Sequence, residues 1–169
     1  MIWALGIPLL ALVAVLQSAV LRQIAFAGGN LDLLLLVVLC WSMLRPTEGL
    51  VWAAVGGMFA DLLSGGPFGA TAIIYLLAAL AAGQIQGRLW GNHPLIVMGL
   101  ALLGTGMAHL LGLALLGLTG RPLDVGYTLA YVTLPTAFIN VALVLPVFSA
   151  LRALDRATRP PELRAEAED

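Results

Sequence analysis

The chain has 169 residues, of which 61% are hydrophobic and 10% charged, against about 45–50% and 25% in a soluble globular domain. So large an apolar excess cannot be hidden in one small core, and it marks a single-domain integral membrane protein. A net charge of −1 without a basic stripe offers nucleic acid no surface, one cysteine excludes an internal disulfide or a cysteine metal cluster, and every basic residue is Arg.

The first apolar run, 2–21, lacks a basic leading region and a convincing small-residue cleavage site, so it reads as a retained first helix and not a secretion signal. Runs and breakers then predict spans near 2–22, 31–45, 47–63, 68–87, 94–118 and 126–151, followed by a short charged tail over 152–169. The breaks carry turn chemistry: Gly28-Gly29-Asn30, Arg45-Pro46-Thr47, Ser64-Gly65-Gly66-Pro67-Phe68-Gly69, Gly91-Asn92-His93-Pro94 and Gly120-Arg121-Pro122. The second span is short. Its charge-free core, 33–44, falls well below the roughly 20 residues needed to cross upright, so it must sit inside protein, thin the bilayer or turn back. With six spans, Arg45, Arg88, Arg152, Arg156, Arg159 and Arg164 lie on one side and Arg22 and Arg121 on the other. The excess of Arg places both termini in the cytoplasm. The tail arginines sit near the membrane, where an unstructured tail would meet anionic lipid.

Polar groups inside such a chain need partners. Asp61 closes the run 50–63, and a carboxylate at membrane depth costs roughly 2.5–3.5 kcal/mol on insertion scales. Ala53, Gly57 and Asp61 follow at i, i+4 and i+8, bordered by Gly56 and Ala60, so Asp61 faces a close helix neighbour. The next helix, opened by Pro67, starts six residues on. A carboxylate reaching its first amides would lock the turn; contact with a partner protein and ion chemistry are the other readings. Asp32 suits the start of the second span as a cap. Arg45, Thr47 and Glu48 repeat the capping logic between spans two and three. In the fifth span Gly99, Gly106 and Gly117 share a face, with His109 aside as a helix-to-helix hydrogen-bonding group. Asn140 lies between Pro135 and Pro146, placed to satisfy a carbonyl that a proline frees or to meet His109 or Asp61. Two His, one Cys and the absence of Lys leave no metal cluster, no persuasive nucleophile–base pair and no phosphate loop, which argues against an enzyme and against a cofactor.

Two stretches carry a resemblance. Asn30-Leu31-Asp32 opens a leucine-rich span, and Gly57, Asp61, Leu62, Ser64, Pro67 and Gly69 form the junction between spans three and four. In both, the chain resembles the bacterial rod shape-determining protein MreD family over about residues 30–90, with Leu31 where many members have Pro. The resemblance implies an all-α, six-transmembrane-helix bundle similar to the S components of energy-coupling-factor transporters. It further implies a non-catalytic part of the cell-elongation machinery in the bacterial inner membrane. Its partners there would be MreC directly, and RodA, a penicillin-binding transpeptidase and MreB in the wider complex. Asp61, Gly57, Ser64, Pro67, Gly69, Asp32, His109 and Asn140 are the residues expected to shape the bundle or its contacts. Ala11, Ala14 and Ser18 of the first span would offer a docking face. The alternative is a vitamin-binding S component, which needs a polar-lined cavity and a long outer capping loop; the predicted outer loops are short and favour the scaffold.

Overall fold

The computed structural model describes residues 2–19, 28–64, 68–86, 93–118 and 124–158. Pro67, Arg22, Arg88, Arg121, Arg159 and Arg164 lie outside that set, as does the tail beyond 158, so the arginine asymmetry rests on sequence alone. Six helices follow one another, with no strand among the described residues: α1 Ile2–Ala19, α2 Leu33–Leu44, α3 Pro46–Ser64, α4 Ala70–Gln86, α5 Pro94–Leu118 and α6 Val125–Thr158. Two of them, α5 and α6, are long and apolar enough to cross a membrane; the apolar stretches Gly6–Ala19, Leu33–Leu44 and Ala70–Gln84 are shorter.

The short second span turns out to be the centre of the molecule. Its sequence, apolar all round, has no polar face to turn outward, which is the pattern of an enclosed helix. Every side chain from Leu34 to Met43 is buried, and α2 packs against all five other helices. At 12 residues it is about 18 Å long, far less than a ~30 Å hydrocarbon layer. Of the alternatives open to it, burial inside protein is the one observed.

Arg45 alone joins α2 to α3. Its N–H donates to Trp41 O at 2.7 Å, its carbonyl accepts from Gly49 N at 2.8 Å, and Pro46 takes the first helical position, where a missing N–H does no harm. Thr47 is therefore not the cap expected there. The sharp reversal presses Gly49 onto Ser42 so closely that a Cβ would overlap it. Trp41 and Trp52 stack across the same joint at 4.3 Å between ring centroids.

α3 and α4 press together where Gly57 meets Ala72: a Cβ on Gly57 would overlap the Ala72 backbone. The small-residue face of α3 is thus real packing against α4. The glycine face read into α5 is different. A Cβ at Gly99 or Gly106 would touch nothing within 4 Å, while Gly104, not singled out, would come within 2.7 Å of Leu39 Cδ1. α2 selects the contact face of α5, and periodicity within α5 says nothing about where α2 lies. Ala14 of α1 is buried at 3% exposure, so the expected docking face is committed in part to the chain's own core.

α6 holds a π-helical turn, Leu129–Thr133, ahead of Pro135. Proline has no N–H for the carbonyl four residues back, Tyr131 O, and the ladder widens there. Gly28, at φ +88°, lies against that carbonyl, with room for no side chain: a Cβ would sit 2.6 Å from the oxygen. The helix then runs to Thr158, seven residues past the predicted end at 151, because Asp155 is drawn into the bundle instead of marking a free tail.

Gly57→Ala should lower stability by about 1–3 kcal/mol through overpacking against α4, whereas Gly99→Ala and Gly106→Ala should stay within about 0.5 kcal/mol of wild type. Thermal unfolding of the three variants in one detergent would measure the contrast.

Candidate functional site

Three polar clusters lie within this apolar frame. The first is the α3–α4 junction. Asp61 is 4% exposed, and its carboxylate reaches over the turn to the start of α4. Oδ2 accepts from Gly69 N at 2.8 Å and Ala72 N at 3.3 Å, and Oδ1 accepts from Thr71 N at 2.9 Å. These amides have no partner within their own helix, and the dipole there favours an anion. Gly69 has φ +91°, a conformation L side chains rarely adopt, and this aims its N–H at the carboxylate. Ser64 Oγ donates to Asp61 O at 3.2 Å and closes the last turn of α3. Gly57 sits one turn below, at the tight α3–α4 contact with Ala72. Asp61, Gly57, Ser64 and Gly69 therefore form one unit.

The second cluster surrounds the start of α2. Asp32 caps the helix: Oδ1 accepts from Leu35 N at 3.1 Å. The same oxygen accepts from Gln17 Nε2 of α1 and from the Tyr75 hydroxyl of α4, both at 2.9 Å. Gln17 Oε1 returns the bond by accepting from Leu34 N at 2.7 Å. Asn140, fully buried in α6, accepts from Asp32 N at 3.1 Å through Oδ1 and donates to Thr105 Oγ1 of α5 at 2.9 Å. Thr136 Oγ1 accepts from Asn30 N at 3.1 Å. Asn140 thus meets neither a freed carbonyl nor His109 nor Asp61. Its partners are Asp32 and Thr105, because segment 30–32 runs alongside α6 at that level. His109 pairs instead with Thr133 Oγ1 at 3.0 Å, linking α5 to the π-turn of α6.

The third cluster lies at the opposite end of α2. Arg45 Nε donates to Asp155 Oδ1 at 2.6 Å and Arg45 Nη1 to Glu48 Oε1 at 2.9 Å. Glu48 Oε2 accepts from Trp41 Nε1 at 3.3 Å, and the guanidinium stands 5.8 Å from the centre of the Trp41 ring. Asp155 is 1% exposed and Arg45 only partly so, and their pairing ties the end of α6 to the α2–α3 joint.

Gln17, Tyr75, Thr105, Thr133, Thr136 and Asp155 were not singled out by sequence reasoning. Gln17 and Tyr75 carried a usable signal: a hydrogen-bonding side chain within an apolar run is placed there for a partner. For Asp155, next to three arginines near the chain's charged end, composition pointed to solvent. Chemically the clusters are hydrogen-bonded braces. Among the described residues no three of His, Cys, Asp and Glu stand together as metal ligands.

Asp61→Ala would strand three part-buried amides, and Asp61→Asn would turn an amide donor toward one of them. The midpoint of thermal unfolding should fall in the order wild type, Asn, Ala, with about 1–3 kcal/mol for each unsatisfied amide. Equal loss in both variants would assign the effect to the charge.

A family model described as rod shape-determining protein MreD matches residues 1–155. No curated protein and no solved structure matches the chain. The match covers every cluster just described and all six helices but for the last three residues of α6, and the chain belongs to the MreD family of rod shape-determining proteins.

Proposed function

We propose that this chain is a non-catalytic, multi-pass component of the bacterial inner membrane, with both termini in the cytoplasm, that binds MreC and supports lateral peptidoglycan synthesis. RodA, a penicillin-binding transpeptidase and MreB belong to the wider assembly. Residues 1–151 with their helical extension form the membrane domain, and the charged segment beyond it faces the cytoplasm. Membership of a shape-determining family supports the process. The length and apolarity of α5 and α6 support the location. The observation that carries the scaffold reading is the use made of the polar groups. Asp61, Asn140, Arg45 and Asp155 hold helix to helix, and three donors share one oxygen of Asp32. A body braced in this way offers a firm surface to a partner helix, and in lipid such surfaces work through close backbone approach.

A second reading is a small-molecule binder resembling the S components of energy-coupling-factor transporters. The convergence of α1, α2, α4, α5 and α6 side chains near Asp32 is the observation in its favour. Copurification from native membranes in mild detergent separates the two. The scaffold reading expects MreC in stoichiometric amount; a bound vitamin, or an ATPase module without MreC, would reverse the order.

A further inference from the structure

α6 has two parts of different character that meet at Pro135. Past that point its inward face is buried at helical spacing, through Thr136, Asn140, Val144, Phe148, Leu151 and Asp155. Ahead of it, no side chain from Val125 to Val132 is buried, and Thr133 is the first to turn inward. The leading stretch is nevertheless well made. Asp124 Oδ1 accepts from Tyr127 N at 2.9 Å, and Thr128 Oγ1 donates to Asp124 O at 2.9 Å. Tyr127 and Tyr131, both exposed, stack at 4.9 Å between ring centroids. All three contacts stay within the stretch, so it holds its own shape without leaning on the bundle.

The backbone between the two parts is the weak point of the helix. Leu134 N reaches five residues back to Leu129 O, and Pro135 has no N–H to give Tyr131 O. Prolines and π-turns are where helices bend. At 34 residues, about 51 Å, α6 outruns a ~30 Å hydrocarbon layer, and a helix that long tilts, kinks or projects.

The two sides of this joint are held unequally. On the far side α6 is clamped: Thr136 Oγ1 accepts from Asn30 N, and Asn140 joins Asp32 N and Thr105 Oγ1. On the near side Gly28 meets Tyr131 O with no side chain to interlock. Among the described residues, one side-chain hydrogen bond ties 124–133 to another helix, Thr133 Oγ1 with His109 Nδ1 at 3.0 Å. A segment with so few buried contacts belongs to the low-stability end of a fold.

We propose that Val125–Val132 is a rigid arm that pivots at Thr133–Pro135, and that the His109–Thr133 hydrogen bond is the latch keeping it in line with the rest of α6. The opposite end of the helix is fixed by the Arg45–Asp155 pair, so the pivot moves only the end that carries Tyr127 and Tyr131. Swung and in-line forms exchange while the bracing of α2 stays intact. The device goes beyond the scaffold reading and does not depend on it, since it is read from distances within the isolated chain.

The test is electron paramagnetic resonance on the purified full chain in detergent, with spin labels on introduced cysteines and buried Cys40 left unlabelled. The pair Gly126→Cys with Leu62→Cys spans the joint, and Ala142→Cys with Leu62→Cys does not. In an otherwise wild-type chain the spanning pair should give one dominant distance and a minor second one. Thr133→Val should raise the ratio of the second to the first about fivefold, the equilibrium worth of one neutral hydrogen bond. Pro135→Ala, which restores the missing N–H, should lower that ratio. The Ala142 pair should keep one narrow distance throughout, and a Gly126→Cys, Ala130→Cys pair should keep the short separation of one helical turn. An unchanged ratio in Thr133→Val would overturn the latch, and an unchanged ratio in Pro135→Ala the pivot. Broadening of the Ala142 pair, or loss of the short separation, would mean general loosening or unwinding and would equally overturn the proposal. If Thr133→Val does not fold, His109→Leu is read on the same pairs by the same criteria.

Discussion

A twelve-residue helix enclosed by protein on every side must find partners for its terminal amides and carbonyls among neighbouring side chains. An α-helix leaves four such groups free at each end, and in a dry interior each costs free energy if left alone. α2 answers at its start with Asp32 and Gln17, which take the N–H groups of Leu35 and Leu34. At its end Arg45 N closes onto Trp41 O while the guanidinium grips Asp155 of α6. The rest of the arrangement follows from these ends. Gln17 brings in α1, Tyr75 brings in α4, Asn140 brings in α6 and, through Thr105, α5.

Asp61 serves α3 and α4 as Asp32 serves α2. Each carboxylate lies where a helix starts, and each takes amides that nothing else in the helix would satisfy. They differ in how much remains. Asp61 places both oxygens on backbone N–H groups, whereas Asp32 crowds three donors onto one oxygen. Both are braces: the α3–α4 junction fastens two consecutive helices, and the α2 start fastens helices distant in the chain.

Local chemistry was legible in the sequence and long-range choice was not. That 33–44 is too short and too apolar to cross alone follows from composition and length. That Asp61 stands within reach of the next helix's amides follows from a six-residue spacing and a Gly-Pro turn. Asp32 as a helix cap follows from its place before four leucines. What spacing cannot supply is which distant side chain completes a bond. Asn140 and Asp32 are 108 positions apart, and Arg45 and Asp155 are 110 apart. The last helix outran its predicted end for the same reason, because a charged stretch that reads as solvated contains the buried partner of Arg45. The glycines of α5 mislead similarly: three on one face suggest a contact, but the neighbour approaches at Gly104.

The claim on which everything rests is that α2 is enclosed and held from both ends. Cys40 sits mid-way along it at 1% exposure, and it is the chain's single cysteine, so it reports on this directly. Reaction with a membrane-permeant maleimide should be negligible in the native protein and complete after denaturation in SDS. It should appear under native conditions when either end is released, in Asp32→Ala or in Arg45→Ala. Rapid labelling of Cys40 in the native wild-type protein would contradict the account.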